Sequence, residues 1–299
     1  MKLVPKSFTK WVKSKTKNII KEEIDSYKKL YIQKEKEANY YRTMYYPFHK
    51  DSESYFIPKP NLKTINCELG LPVPPKELWL GYGDTVEQYL NGKIQVDKMI
   101  SLLEKSEFSI KNGIKILDFG CGAGRMIRWL KEYSNNCEIW GTDISSDHIF
   151  WANQYLTPPF NFATTTTVPH LPFEDGYFDL IYSGSVFTHI DDLADAWFLE
   201  LRRISSKNAM LYITINDRHT IELLDTVYQD KWLSMYMNKF PEFINNKNNY
   251  DIIVGGRGPD SQVFYDIEYL RKSLETIFEI VSVEEEAYGY QTALILRKK

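Results

Sequence analysis

The chain has 299 residues and a mass of 35.2 kDa, which at roughly 100–200 residues per domain admits one elaborated domain or two smaller ones. With 43% hydrophobic and 26% charged residues it is not a disordered, collagen-like or fibrous chain, and no run approaches the ~18 consecutive apolar residues of a membrane span. The net charge of -3 is unevenly spread: residues 1–30 hold nine lysines and three acids, so +6 there leaves -9 for residues 31–299.

The opening Met1-Lys2-Leu3-Val4-Pro5-Lys6 is basic, and no long apolar stretch comes after it, which argues against a secretory signal. Phe8, Trp11, Val12, Ile19, Ile20 and Ile24 recur at one or two helical turns with lysines between them, predicting a basic amphipathic helix within the first forty residues. Such a helix can rest on an anionic membrane surface or an acidic partner. Packing on its own domain or on a second subunit of an oligomer is the favoured reading. An aromatic cluster, Tyr40, Tyr41, Tyr45, Tyr46 and Phe48, is followed by Pro58-Lys59-Pro60-Asn61 and Leu71-Pro72-Val73-Pro74-Pro75. Proline removes a backbone donor and biases its predecessor away from helix. The expected organisation is therefore a helical, proline-rich extension over residues 1–75 and one domain over residues 76–299.

A helix is predicted from Thr85 to Leu103. Short apolar runs then read as strands: Lys115–Phe119, Glu138–Thr142, Phe160–Ala163, Phe178–Ser183 and Ala209–Ile215. Arg125–Tyr133, Ser146–Tyr155 and Asp191–Ile204 between them read as helices, and the alternation predicts a mostly parallel sheet covered on both faces. Thr220–Phe240 reads helical within a long insertion, residues 217–262, which also carries Arg257 between glycines. Phe278–Glu284 and Gln291–Arg297 are too closely joined to be parallel, so the last pair is predicted antiparallel. Cys67, Cys121 and Cys137 lack a C-x-x-C spacing, which argues against a disulfide framework or cysteine-built zinc site and for a reducing, cytoplasmic setting. No metal site is expected.

The sharpest motif is Asp118-Phe119-Gly120-Cys121-Gly122-Ala123-Gly124-Arg125, where a buried strand runs into glycines and a predicted helix start. A dinucleotide site wants G-x-G-x-x-G, and the position of its third glycine is Arg125. An acid below the turn suits a ligand with an ammonium group and no pyrophosphate, as S-adenosylmethionine has. Asp143, in Thr142-Asp143-Ile144 at the end of the second strand, can accept hydrogen bonds from both ribose hydroxyls. A helix N-cap is its bland alternative.

These motifs resemble the class I S-adenosylmethionine-dependent methyltransferases over roughly Lys115 to Ile215, and more loosely to Lys299. The resemblance implies a three-layer Rossmann-like α-β-α sandwich with a seven-stranded sheet whose last strand, opened by Tyr288-Gly289-Tyr290-Gln291-Thr292, is inserted antiparallel. It implies S-adenosylmethionine as cofactor, held by Asp118, Gly120, Cys121, Gly122, Gly124, Asp143 and Ile144. Ser183 and Ser185, in the segment Ser183–His189 that resembles the stretch after the family's fourth strand, complete that set. Leu171–Ile181 looks like the segment leading into that strand. One departure is visible: where the family often carries an acid after the third strand, this chain reads Ala163-Thr164-Thr165-Thr166-Thr167, so a backbone group or a threonine hydroxyl would serve adenine.

Methyl transfer to oxygen wants a general base at the carboxyl ends of the strands. His189, with Asp191 and Asp192 close behind, comes after the fourth strand, and His219 after the fifth. A histidine suits the role because its unperturbed pKa is about 6.5. Each could equally be a residue that fixes its loop. The insertion at residues 217–262 would stand over the strand ends as a lid or acceptor wall. The acidic body and the sequence pI near 6.0 argue against nucleic acid as the substrate. The expected activity is methyl transfer to a small molecule or a glycan at oxygen. The alternatives are an NAD-dependent oxidoreductase and a non-catalytic cofactor-binding scaffold.

Overall fold

The structure, a computed structural model, describes residues 17, 21, 24–34, 67, 69–190, 193–256 and 261–299. Residues 24–34 are helical, in line with the expected amphipathic helix, and expose Ile24, Tyr27, Leu30 and Tyr31. The rest of that helix, the Tyr40–Phe48 cluster, Pro58–Asn61, Asp191, Asp192 and Arg257 lie outside the described residues.

The predicted helix from Thr85 is broken in two. Thr85 caps α1 (Val86–Leu90) by accepting from the Gln88 N–H while the Gln88 side chain returns to the Thr85 N–H. Asn91 then separates α1 from α2 (Gly92–Lys105). The main sheet is built from β1 (Lys115–Phe119), β2 (Glu138–Asp143), β3 (Asn161–Thr164), β4 (Phe178–Ser183), β5 (Ser205–Ile215), β8 (Phe278–Tyr288) and β9 (Gln291–Lys298), in the order β3-β2-β1-β4-β5-β9-β8. The pairs β3-β2, β2-β1, β1-β4 and β4-β5 are parallel, whereas β9 is antiparallel to both β5 and β8. All five sequence-predicted strands of the first part are present, and the antiparallel last pair is borne out.

Both faces of this sheet are buried, which is why its strands read as near-continuous apolar runs and not as alternating ones. Ile116, Leu180, Met210 and Ile295 join one cluster with α2 and with α3 (Ser146–Tyr155). Their neighbours Leu117, Ile181, Leu211 and Leu296 join the opposite one, with α4 (Ala194–Ile204) and α8 (Ile267–Leu274). The helix α4 turns Ala194, Trp197, Phe198, Leu201 and Ile204 inward, at the spacing a docked helix needs.

Two other helical expectations are corrected. Thr220–Phe240 is not one helix: α5 (Arg218–Asp225) and α6 (Trp232–Met237) are separated by turns, and α7 (Pro241–Asn246) begins at a proline. They pack with a separate hairpin, β6 (Ile252–Gly255) and β7 (Gln262–Tyr265), around Ile221, Leu224, Leu233, Met237, Phe243, Ile253 and Phe264. This small third core sits on the carboxyl end of β5, where the Asn216 side chain donates to the Val263 carbonyl and the Tyr265 N–H to the Asn216 carbonyl.

Nor does Arg125–Tyr133 form an α-helix. Turns lead into a 3₁₀ helix over Ile127–Tyr133. The side chain of Arg128, fully buried, takes the carbonyls of Gly124 and Ala123, at 2.8 and 3.4 Å, which an α-helix would have reserved for its own N–H groups. Its remaining reach, to the Pro72 carbonyl at 3.0 Å, fastens the proline-rich segment to the same corner.

Candidate active site

The parallel register places Asp118 between Gly141 of β2 and Tyr182 of β4, one layer below the end of the sheet. It is almost fully buried, and its Oδ2 has no hydrogen-bond partner among the described residues. Burial pushes its pKa up to about 8, and the negative Asp143 adds to this, while the Tyr182 hydroxyl and the Ile127 N–H oppose it. A carboxylate that has been desolvated and left without a countercharge is poised to receive a cationic group.

Above it the chain reverses sharply. The Gly120 and Cys121 N–H groups both donate to the Thr142 carbonyl, at 2.8 and 3.0 Å, and the Gly122 N–H donates to Asp143 Oδ2 at 2.8 Å. Gly120 has φ of +82°, and a Cβ there would lie 2.1 Å from Val186 Cγ2. Gly124 is similarly left-handed, with Leu156 against the position of its missing Cβ. The helix start expected from sequence is therefore not the feature of this corner. It is a backbone cradle folded onto the end of β2. Burial drives the Cys121 thiol well above its ordinary range, with Asp118 and Asp143 contributing, so it is an inert wall group.

Asp143 is not the helix N-cap, which is Ser145; its Oδ1 accepts from the Ser145 N–H at 2.8 Å, just before α3. An ionised carboxylate has about four acceptor positions, so the two bonds it makes leave capacity for a ligand. Ile144 beside it is half-buried. Across the cleft, Ser183 ends β4 fully buried, its Oγ without a hydrogen-bond partner among the described residues, and Gly184 lies between Met126 and Tyr288. After β3 the Thr165 hydroxyl is buried and has no hydrogen-bond partner among the described residues, in the stretch that lacks the expected acid.

Arg125, the residue in place of a third glycine, is built in. It donates to the Tyr288 hydroxyl at 3.0 Å and to Gln95 Oε1 at 3.0 Å, and its guanidinium lies 4.1 Å from the Tyr82 ring centroid. Tyr288 in turn donates to Tyr82 at 3.1 Å. Sequence reasoning missed Tyr82, Tyr288, Thr214 and Gln291. The only available signal was that the β8-β9 turn must return to the sheet.

The two histidines are not brought together. The Nδ1 of His189 lies 2.8 Å from the Ser261 carbonyl and donates its proton there. His219 sits at the start of α5, with Nε2 3.2 Å from Glu286 and Nδ1 3.6 Å from Glu285, at the irregular end of β8. Among the described residues, no helix is long and apolar enough to cross a membrane.

Comparison with solved structures bears on the fold. A protein from Pyrococcus horikoshii OT3 superposes with a TM-score of 0.53 at 19% identity, covering 75% of this chain and 97% of that one. Weaker likenesses, each with a TM-score below 0.5, include a protein from Methanosarcina mazei described as a SAM-dependent methyltransferase (TM-score 0.46, 21% identity, 63% of this chain, 93% of that). Magnesium protoporphyrin IX methyltransferase from Synechocystis PCC 6803 is similar at TM-score 0.48 and 18% identity, covering 73% of this chain and 91% of that. The family model described as a methyltransferase domain matches residues 117–213, the stretch from β1 through β5 that contains the glycine turn and Asp143. Residues 117–213 of this chain thus match a methyltransferase domain, on a fold shared with the Pyrococcus horikoshii protein.

Proposed function

We propose that this enzyme transfers a methyl group from S-adenosylmethionine to a hydroxyl of a small molecule or a glycan. The observation that carries the cofactor assignment is Asp118, a buried carboxylate whose Oδ2 has no partner among the described residues, under a backbone cradle that has Arg125 where a dinucleotide site has its third glycine. It would hold the ammonium of the amino-acid end. Gly120, Cys121, Gly122 and Gly124 would line the same end, and Asp143 would take the ribose hydroxyls, with Ile144 against the ring system. Thr165 replaces the missing acid beside adenine. Ser183 and Ser185 close the opposite wall. When bound, the cofactor supplies an electrophilic methyl on a sulfonium. The residues of the chain hold it, exclude water and relieve the acceptor of a proton.

His189 is the preferred base, because it follows β4 and its ring is anchored through Nδ1 on the Ser261 carbonyl. His219 is the second candidate. Its contacts with Glu285 and Glu286 also serve to anchor α5. The segment 217–262 would form the acceptor wall on a catalytic domain spanning 76–299, with 1–75 as a docking extension that contacts a partner, a second subunit or a membrane surface. The free cysteines fit a reducing, cytoplasmic setting.

Calorimetric titration with S-adenosylhomocysteine tests the cofactor, and transfer assays across hydroxylated acceptors test the chemistry. Tight binding of NAD, with none of S-adenosylhomocysteine, would restore the oxidoreductase alternative. Cofactor binding with no turnover on any acceptor class would favour the scaffold. Once an acceptor is found, His189→Ala should lower kcat by about 10²–10⁴-fold and leave S-adenosylhomocysteine affinity unchanged. An unaltered kcat removes His189 from the mechanism.

A further inference from the structure

Ser185 lies two positions past β4 in the left-handed region, with φ of +62°, a conformation that costs a non-glycine residue about 1–2 kcal/mol. It is held there by a closed ring of hydrogen bonds. The Ser185 N–H donates to Thr214 Oγ1 at 2.7 Å, the Thr214 hydroxyl donates to Gln291 Oε1 at 2.8 Å, and Gln291 Nε2 donates to Ser185 Oγ at 2.8 Å. Thr214 and Gln291 are buried. Thr214 is on β5 and Gln291 opens β9, so three strand ends converge on one hydroxyl.

The ring has a direction. Because Ser185 Oγ accepts from Gln291, its own proton must go elsewhere. The Thr188 hydroxyl spends its proton on the Ser185 carbonyl at 3.0 Å, and the Ser185 Oγ to Thr188 Oγ1 separation is 3.3 Å, beyond the usual O–H···O length of about 2.7–2.8 Å. Ser185 is therefore a hydrogen-bond donor with a poor internal acceptor. Its neighbours face the glycine turn: Val186 closes on Gly120, and Gly184 lies between Met126 and Tyr288.

We infer that Gln291 and Thr214 are positioning residues that orient the Ser185 hydroxyl as a donor to the carboxylate of the cofactor's amino-acid end, opposite the ammonium held by Asp118. This rests on the cofactor reading above. The amide of Gln291 is the element that sets the sense of the ring, because it alone offers Thr214 an acceptor and Ser185 a donor from one planar group.

The test is S-adenosylhomocysteine titration of the full chain, wild type against Gln291→Glu and Ser185→Ala, from pH 8 down to about pH 5.5. Thermal melts confirm that each variant is folded. At pH 8 the introduced carboxylate can only accept, so the Ser185 proton turns inward, and affinity should fall about 10-fold relative to wild type, as for loss of a hydrogen bond to a charged group. As pH falls, the protonated carboxyl regains one donor and one acceptor, and the ratio to wild type at the same pH should return toward unity. Ser185→Ala should lose a similar factor at every pH. A ring serving structure alone would show no such pH-selective recovery. Equal affinity of Gln291→Glu and wild type throughout, or a neutral Ser185→Ala, overturns the inference. Failure of the wild type to bind S-adenosylhomocysteine overturns instead the cofactor reading on which it rests.

Discussion

The two sides of the cleft are assembled in different ways. On the β1-β2 side the groups come from one short stretch, Asp118 to Ser145, and are fastened by hydrogen bonds that stay within that stretch, such as Gly122 to Asp143, 21 positions apart. On the other side, Ser185 is held by Thr214 and Gln291, 29 and 106 positions away, and the bond from Arg125 to Tyr288, 163 positions on, ties the two sides together. The first side is a local motif that folds itself once its strand is paired. The second exists only after the hairpin of β8 and β9 has entered the sheet.

This contrast can be broken most severely at Asp118. Asp118→Asn should weaken S-adenosylhomocysteine binding by about 100-fold or more, since the ammonium loses its buried partner. The same residue predicts a pH dependence. With its pKa raised from 3.8 to about 8, the ligand-free folded state keeps a proton that the unfolded chain has released. Between roughly pH 4 and 8 the folded state binds more protons, so stability falls as pH rises and levels off above pH 8. Asp118→Asn should flatten that slope in denaturant unfolding. Cofactor binding below pH 8 should release a proton in the wild type but not in the variant, which calorimetry in buffers of different ionisation enthalpy would detect.

Next in size is the long-range side. Arg125→Ala should destabilise the protein by about 2–4 kcal/mol in denaturant unfolding, because the Tyr288 hydroxyl, Gln95 and the Tyr82 ring all lose their cation. It should gain no NAD affinity. A stability change under about 0.5 kcal/mol would mean that the second side does not depend on this bridge. The smallest effect belongs to the outer face of the insertion. Trp232 is 54% exposed and stacks on Tyr236 at 4.9 Å, so Trp232→Ala should shift unfolding by less than about 1 kcal/mol. A raised acceptor KM with that small change would make this face part of the acceptor wall.

Much of the sheet was legible from apolar runs, because strands buried on both faces leave an uninterrupted signature. Lys115–Phe119 and Phe178–Ser183 are placed to the residue, and Asp118 and Asp143 stand in the strands on which the motif puts them. The helical expectation at Arg125–Tyr133 failed because a side chain, Arg128, competes for the carbonyls of Ala123 and Gly124, and periodicity carries no record of such competition. Thr220–Phe240 failed because its apolar residues serve a small core of their own, shared with β6 and β7.

By itself the sequence determined the strand-and-turn chemistry of β1 and β2, since each partner there lies close to a glycine that only one backbone geometry can use. The rest was decided by tertiary structure. Pairing β9 antiparallel beside β5 carries Gln291 to Ser185, and the adjoining end of β8 brings Tyr288 to Arg125. Hydrogen bonds across such separations depend on sheet order and register, and those are set by burial summed over the whole core, not by any local pattern.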